Sequence, residues 1–467
     1  MATLQCSRCS ATFEQYPPLY KCTKCDGLLE YAYDFKQLIR IKLDGSFTFW
    51  KYRSLLPKVK NVVSMGEGGT PLHRAERLAE EIDLGKVYLK DETRNPTNSF
   101  RDRCATLMIS NAQDLNHNSI VCASNGNLGA SLAAYSAKSG LTCHIIVPKN
   151  VDIGKLAQML IYDALIEEHG EIVDESVERV ESLAKETGWY QATAELNPLA
   201  IEAQKTIAYE IVEQLGVPDW FIVSIGSGGT IHSIWKGFKE LQTLGTIDEL
   251  PKLVGVQADG CAPVVNAHLR NEPEPVTIPK PSTHALGILV RNPLNGRWAL
   301  DAITKSKGVA IAASDSEIFA AEQEIARLEG IFAEPASSAT IAALKKLAYQ
   351  GIIDKKDTVV GLITGSGLKA TDVLQALAKK RKTAVVGLEL STKEKILRIL
   401  IRRDAYGYDL WKKLGKTMTR TAIYQHLNGL SQRGLVVAYE REGRKYFKIA
   451  ERGKKVLHAI DELKTLL

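Results

Sequence analysis

From about Lys86 to Ile363, short β-branched runs alternate with amphipathic stretches, and this alternation limits the fold more than any other feature of the chain. Val87–Lys90, Ser119–Ala123, Thr142–Val147, Trp220–Val223, Leu253–Val256 and Thr358–Ile363 read as strands. Helical patterns cover roughly Phe100 to Ala112 and Leu128 to Ser139, and others start near Lys155 and Thr371. Such a series predicts a doubly wound α/β body with parallel sheets covered on both faces. At 467 residues the chain is too long for one core, so further domains are expected. No apolar run reaches the ~18 residues of a membrane helix. The opening Met-Ala-Thr-Leu-Gln-Cys lacks a basic and an apolar leader region. These features point to the cytoplasm.

In doubly wound folds ligands collect outside the carboxyl ends of strands. Three polar, glycine-rich segments fall there. Gly226-Ser227-Gly228-Gly229-Thr230 joins a strand to a helix, where bare backbone N–H groups can converge on a phosphate. Ser124-Asn-Gly-Asn-Leu-Gly129 makes a similar connection, and Thr364-Gly-Ser-Gly-Leu-Lys369 ends the last body strand. Together they predict one shared small-molecule site.

Four of the eight cysteines form two knuckles, Cys6-Ser-Arg-Cys9 and Cys22-Thr-Lys-Cys25. Two CxxC turns twelve residues apart supply four thiolates for one tetrahedral Zn²⁺. A closed four-sulfur shell is structural, with no position open for chemistry. Disulfide pairing is the alternative, disfavoured in a reducing compartment. Cys104, Cys122, Cys143 and Cys261 stand alone, mostly in apolar runs, and read as small core residues.

Charge divides unevenly. Thr383 to Leu467 carries 18 Lys and Arg against 9 Asp and Glu, a balance of +9, which leaves 42 against 45 in the first 382 residues. A basic module on a near-neutral body suits nucleic acid or an acidic surface, the plainer alternative being a solubilising face.

Further motifs run in order along the body: Gly66-Glu-Gly-Gly-Thr-Pro-Leu72, Lys90-Asp-Glu-Thr-Arg-Asn-Pro-Thr97, Ser99-Phe-Arg-Asp-Arg103 and Ser124-Asn-Gly-Asn127. Gly226–Thr230, Glu334-Pro-Ala336 and Thr364–Lys369 complete the series. On these stretches the body, from Cys6 to about Lys380, resembles threonine synthases that open with a zinc ribbon, within the fold-type II pyridoxal-phosphate enzymes. The resemblance implies a two-domain subunit with its cofactor between the domains. It implies that residues 226–230 cup the cofactor phosphate, that Asn127 meets the ring hydroxyl and that Thr364 meets the pyridine nitrogen.

One departure is chemical. The family motif reads Ser-Phe-Lys-Asp-Arg, and its lysine forms the Schiff base; this chain has Arg101 there. A guanidinium stays protonated, with a pKa above ~12, and cannot attack an aldehyde or readily shuttle a proton. Asn98 and Cys104 replace family glycines, and Asn125 stands where Thr or Ser is usual. These changes together read as a site released from catalysis. Rescue by Lys90 or Lys369 would need a differently seated cofactor, and Lys90 reads otherwise as a structural ion-pair partner. Arg101 suits bidentate contact with a carboxylate or phosphate. The alternative is a relic pocket that Arg101 itself fills.

The tail changes texture at Ser391. Ser391-Thr-Lys-Glu394 fits a capping box, and helices are predicted through Leu400, over Tyr408–Leu414 and over Thr419–Leu430. Strands at Gly434–Tyr439 and Arg444–Ile449 and a last helix from about Glu451 complete the pattern. Three helices followed by a hairpin are the parts of a winged helix-turn-helix. The stretch resembles winged-helix repressors of the PadR type, chiefly in Thr421-Ala-Ile-Tyr-Gln-His-Leu427 and Gln432-Arg-Gly-Leu-Val436. The third helix would offer Thr419, Arg420, Thr421, Tyr424 and Gln425 to the major groove. Arg441, Arg444 and Lys445 would add phosphate contacts from the wing. A winged helix used only for protein contacts is the alternative.

The expected layout is a zinc ribbon (1–32), a two-subdomain body (33–382), a linker (383–390) and a winged helix (391–467). The expected function is a DNA-binding transcriptional regulator whose body senses an amino acid, a phospho-amino acid or noncovalent pyridoxal phosphate. Both resemblances imply a homodimer. The alternatives are an active threonine synthase carrying a DNA-binding tail and a noncatalytic scaffold.

Overall fold

A computed structural model describes residues 2–35, 45–149, 151–370, 392–415, 419–441 and 443–466. The chain forms two compact units, Met1–Thr371 and Asp372–Leu467. The expected helix from Thr371, the basic stretch Lys379–Lys382, the linker 383–390 and Ser391 of the capping box lie outside the described residues.

The first unit opens with a three-stranded antiparallel ribbon of β1 (Ala2–Cys6), β2 (Thr12–Phe13) and β3 (Leu29–Tyr33), ordered β2-β1-β3. The body then holds β4 (Leu72–Arg74), β5 (Lys86–Asp91), β6 (Ser119–Ala123), β7 (Thr142–Val147), β8 (Leu165–Glu168) and β9 (Tyr190–Gln191). It continues with β10 (Trp220–Ser224), β11 (Lys252–Ala258), β12 (Val309–Ala313) and β13 (Thr358–Ile363). These assemble into two sheets, β12-β11-β10-β13-β5-β4 and β8-β7-β6-β9. All pairings are parallel except β4 with β5, so the larger sheet is mixed rather than wholly parallel.

The central strands are apolar along their length because helices cover both faces. Every residue of β10 is buried, and so are all but the first of β11. The strands that the sequence pattern misses, β4, β8, β9 and β12, are short or lie at sheet edges. Edge strands need no continuous apolar run, so β8 presents Glu167 and Glu168 to solvent and leaves no periodic signal. The isolated cysteines Cys104, Cys122, Cys143 and Cys261 are all buried, as their apolar surroundings predict.

The second unit packs helices Thr392–Leu400, Gly407–Lys413 and Arg420–Gln432 against a sheet of β14 (Ala405–Tyr406), β15 (Val436–Arg441) and β16 (Arg444–Ile449). The strand order is β14-β16-β15. Thr419 caps the third helix, its hydroxyl accepting from the Ala422 N–H at 3.2 Å. Ile423, Leu427 and Leu430 recur at helical spacing and meet Ile396, Leu410, Val436 and Phe447 in one small core. A final helix runs over Glu451–Leu466.

Candidate functional site

The sequence-selected loops meet in one cleft of about 70 Å³ at the carboxyl ends of β6, β10 and β13. Asn127, Gly226, Ser227, Gly228, Gly229, Thr230 and Thr364 all line it, and so does Arg101. The helix Gly229–Thr243 begins in this wall. Gly228 turns into it with φ +103°, and a Cβ there would stand 2.6 Å from the Asn295 carbonyl oxygen. Only glycine leaves the backbone N–H groups bare at this turn. Asn295 and Gln204 fix the loop, accepting from the Ser227 hydroxyl at 3.2 Å and the Thr230 hydroxyl at 2.7 Å.

On the facing wall, Asn127 Nδ2 donates to both carboxylate oxygens of Glu334, at 2.8 and 3.0 Å. Its Oδ1 is buried and meets no hydrogen-bond partner among the described residues. Lys155 completes the cluster, with Nζ 2.9 Å from Asp152 and 3.2 Å from Glu334. Burial opposes its charge, but the carboxylates of Glu334 and Asp152 outweigh this and raise its pKa. Thr364 shares a 2.7 Å hydroxyl contact with Ser337.

Arg101 precedes the helix Asp102–Asp114, its guanidinium stacked 4.6 Å from the centre of the Phe100 ring. It meets no carboxylate within ion-pair distance among the described residues. The loop before it is pinned to β13's end, with the Phe100 N–H donating to Thr364 O at 3.0 Å and Ser366 N–H to Asn98 O at 3.1 Å. Asn98 takes φ +60°, a left-handed conformation in which asparagine is the usual substitute for glycine. Cys104 is fully buried, and Asn125 donates to the Leu286 carbonyl at 2.8 Å. These flanking departures therefore leave the loop well formed. Arg101 remains the chemical change.

Two expected amines lie elsewhere. Lys90 is wholly buried, 2.7 Å from Glu210, and also donates to Thr70 O and Gln214 Oε1. Arg103 binds the same Glu210 and Glu92, whose side chain accepts from Thr70, so the Gly66–Leu72 and Lys90–Thr97 motifs form one buried ionic network. Glu210 falls to about 2, because Arg103 and Lys90 outweigh the burial that would raise it. Lys369 donates to Thr97 O at 2.7 Å, and burial lowers its pKa to about 8. Neither Lys90 nor Lys369 lines the cleft.

Sequence reading passed over Lys155, Asp152, Gln204 and Asn295 as site residues. For Lys155 a signal existed: it lies just beyond the carboxyl end of β7, where such folds place ligands. Glu334 belonged to a matched motif, yet its bonds to Asn127 and Lys155 had no local signature.

The four knuckle cysteines converge, their sulfurs all within 4.8 Å of one another. Cys6 Sγ stands 3.5 Å from Cys25 Sγ and Cys9 Sγ 3.6 Å from Cys22 Sγ. The Arg8 and Lys24 N–H groups each point at a knuckle sulfur at 3.4 Å. A soft four-sulfur set of this kind can hold a metal ion. In the second unit Thr419, Arg420, Thr421, Tyr424, Gln425, Arg441, Arg444 and Lys445 are all exposed. Gly407 makes room for Tyr424, since a Cβ there would stand 2.4 Å from its ring.

Residues 63–365 match the model of the family described as pyridoxal-phosphate dependent enzyme, and the chain belongs to that family. Within it the resemblance is to threonine synthases. That of Methanocaldococcus jannaschii is 41% identical over 408 residues, covering 85% of this chain and 99% of the relative. That of Mycobacterium tuberculosis strain H37Rv is 40% identical, covering 69% and 88%. Residues 396–459 match the transcriptional regulator PadR-like family, so the chain joins a threonine synthase-like body to a PadR-like domain. Solved structures agree on the body's fold. A processed threonine deaminase isoform 2 from Solanum lycopersicum has TM-score 0.57 at 20% identity, covering 67% of this chain and 88% of its own. A pyridoxal 5'-phosphate-dependent aspartate racemase has TM-score 0.56 at 24% identity, covering 64% and 90%.

Proposed function

We propose that this protein is a DNA-binding transcriptional regulator whose threonine synthase-like body senses an anionic ligand. The candidates are an amino acid, a phospho-amino acid or noncovalent pyridoxal phosphate. The carrying observation is Arg101, a permanent cation in the wall of an otherwise formed cleft, where the family's attachment lysine belongs. The cleft suits the family cofactor at two of three points. The bare 226–230 turn would hold its phosphate, and Asn127, with an orphaned buried oxygen, and Thr364 would face its ring. At the third, a guanidinium cannot form the covalent link. Bound pyridoxal phosphate would supply an electron sink beside an amino acid's α-carbon. Arg101 and Lys155 would hold carboxylate or phosphate groups there, but neither offers a neutral amine for proton transfer.

In this reading the four cysteines hold a structural zinc, and a homodimer presents two recognition helices, Arg420–Gln432, to successive half-sites. The protein then works in the cytoplasm. Ligand binding changes DNA affinity only as far as the ligand prefers one of two conformations. Titrating DNA-bound protein with amino acids, phosphohomoserine and pyridoxal phosphate should shift DNA affinity for at least one. Indifference to all of them would sink the sensor.

Active threonine synthase is the second reading, favoured by the intact geometry at Asn98 and the near-complete match to threonine synthases. Borohydride reduction of protein incubated with pyridoxal phosphate, followed by mass spectrometry, separates the two. Wild-type protein should carry no stoichiometric lysine label, whereas Arg101→Lys should be labelled at residue 101. A single label at Lys155, Lys90 or Lys369 in the wild type would restore the enzyme.

A further inference from the structure

The winged-helix unit carries an aromatic run along the edge of its core. Trp411, Tyr408, Tyr406, Tyr446 and Tyr439 follow one another with ring centres 5.7, 6.4, 5.5 and 5.9 Å apart. Trp411 packs against the core, a mainly aliphatic set around Ile423, Leu427 and Phe447, and the four tyrosines lie outside that set. The run crosses from the second helix, through β14, to both strands of the wing. Backbone register holds it, since Tyr406 pairs with Tyr446 and Tyr439 pairs with Tyr446. Tyr439 is anchored further by its hydroxyl, which donates to Asp404 at 2.6 Å.

Three cations rest on these rings. Arg420 lies 4.8 Å from the centre of Tyr408 and 4.9 Å from that of Trp411. Arg444 lies 5.4 Å from Tyr406, and Lys448 5.8 Å from Tyr439. How a cation is held decides what it can still do. Arg398 of the first helix spends its donors on Glu394 and Asp461. A guanidinium stacked on a ring spends only its face, and its in-plane N–H donors stay directed outward.

We propose that this five-ring run is a positioning device for nucleic-acid phosphate. It holds Arg420, at the start of the recognition helix, and Arg444, on the wing, at a fixed mutual spacing before the duplex arrives. Both then meet backbone phosphates beside the groove that the helix enters. Tyr406, Tyr408 and Trp411 are positioning residues that need not touch DNA. Ordering the two long side chains in advance removes an entropic cost from binding. The inference rests on the DNA-binding reading above and adds which residues set its electrostatic footprint.

Salt dependence tests it, because each phosphate contact contributes about 0.9 to the slope of log affinity against log salt. Full-length protein is titrated onto a labelled mixed-sequence duplex of about 30 base pairs between about 50 and 200 mM KCl, with anisotropy as readout. Arg420→Gln with Arg444→Gln should lower the slope by about two. Tyr406→Leu with Tyr408→Leu should remove more than half of that difference although every positive charge remains. Tyr406→Phe with Tyr408→Phe should restore it. Should the paired leucine variant unfold, Tyr408→Leu alone, at a 44% exposed position, should lower the slope by about one. A wild-type slope in a folded leucine variant overturns the proposal. So does tighter binding of a single-stranded probe that the leucine variants abolish, since the rings would then be stacking platforms. Absence of any duplex binding by the wild type is a different failure, and takes the DNA-binding reading with it.

Discussion

Arg101 shows how much one side chain decides. An ammonium can lose its proton and become a nucleophile, whereas a guanidinium under ordinary conditions cannot. Glu334, which lines the same cleft, also acts on a buried carboxyl outside the cleft lining. Glu322 is buried, its Oε1 meets no hydrogen-bond partner among the described residues, and burial together with the Glu334 charge raises its pKa from 4.5 to about 8. Between those values the folded chain binds a proton that the unfolded chain releases. Stability therefore falls as pH rises from about 4.5 towards about 8. Glu322→Gln should match the wild type near the acidic end of this window and exceed it at the alkaline end. Denaturant unfolding across that range measures the difference, and parallel curves for the two proteins would refute the assignment.

At the scale of elements, turns govern the site. The loop before the helix Asn127–Ser139 holds Gly126 at φ +141°, with Lys155 crossing directly over it. A Cβ at 126 would stand 2.2 Å from Lys155 Cδ. Gly126→Ala is expected to cost about 1–3 kcal/mol of stability through backbone strain. It should also push Lys155 away from Asp152 and Glu334, weakening anion binding in the cleft. Calorimetry with inorganic phosphate, compared with thermal unfolding of the same variant, reads both effects. Asn98 carries the complementary lesson. Loss of glycine there looks like decay in a motif, but asparagine tolerates the required backbone conformation, so the turn survives.

The first unit also joins its metal-type cluster to its cleft. From β3, Glu30 meets His232 at 3.2 Å, and Tyr33 donates to Glu202. His232 lies one turn into the helix that begins at the 226–230 loop. Glu202 shares a short helix with Gln204, which accepts from Thr230 in that same loop. Removing metal from the cysteine cluster with a chelator should therefore lower affinity for pyridoxal phosphate several-fold. By linkage, pyridoxal phosphate should raise metal affinity by the same factor. Competition against a chromophoric chelator, with and without pyridoxal phosphate, follows both. Identical metal affinities in the two conditions would show that the ribbon and the cleft are independent.

Much of this molecule was legible in local sequence. Strands Ser119–Ala123, Thr142–Val147 and Thr358–Ile363 emerge with the predicted bounds, because buried parallel strands need unbroken apolar runs. The CxxC knuckles, the glycine turns, the missing lysine and the winged-helix pattern are likewise short-range signals, each contained within a few residues or one helical period. Tertiary structure alone decided which charges meet. Asn127 and Glu334 are 207 residues apart, and Lys90 and Glu210 are 120 apart. Nothing in either segment announces the other. A buried charge must find its partner wherever the topology brings one, since desolvation leaves it no tolerable alternative. Strand order therefore bound Lys90 into the ionic network and brought Lys155 to the cleft wall.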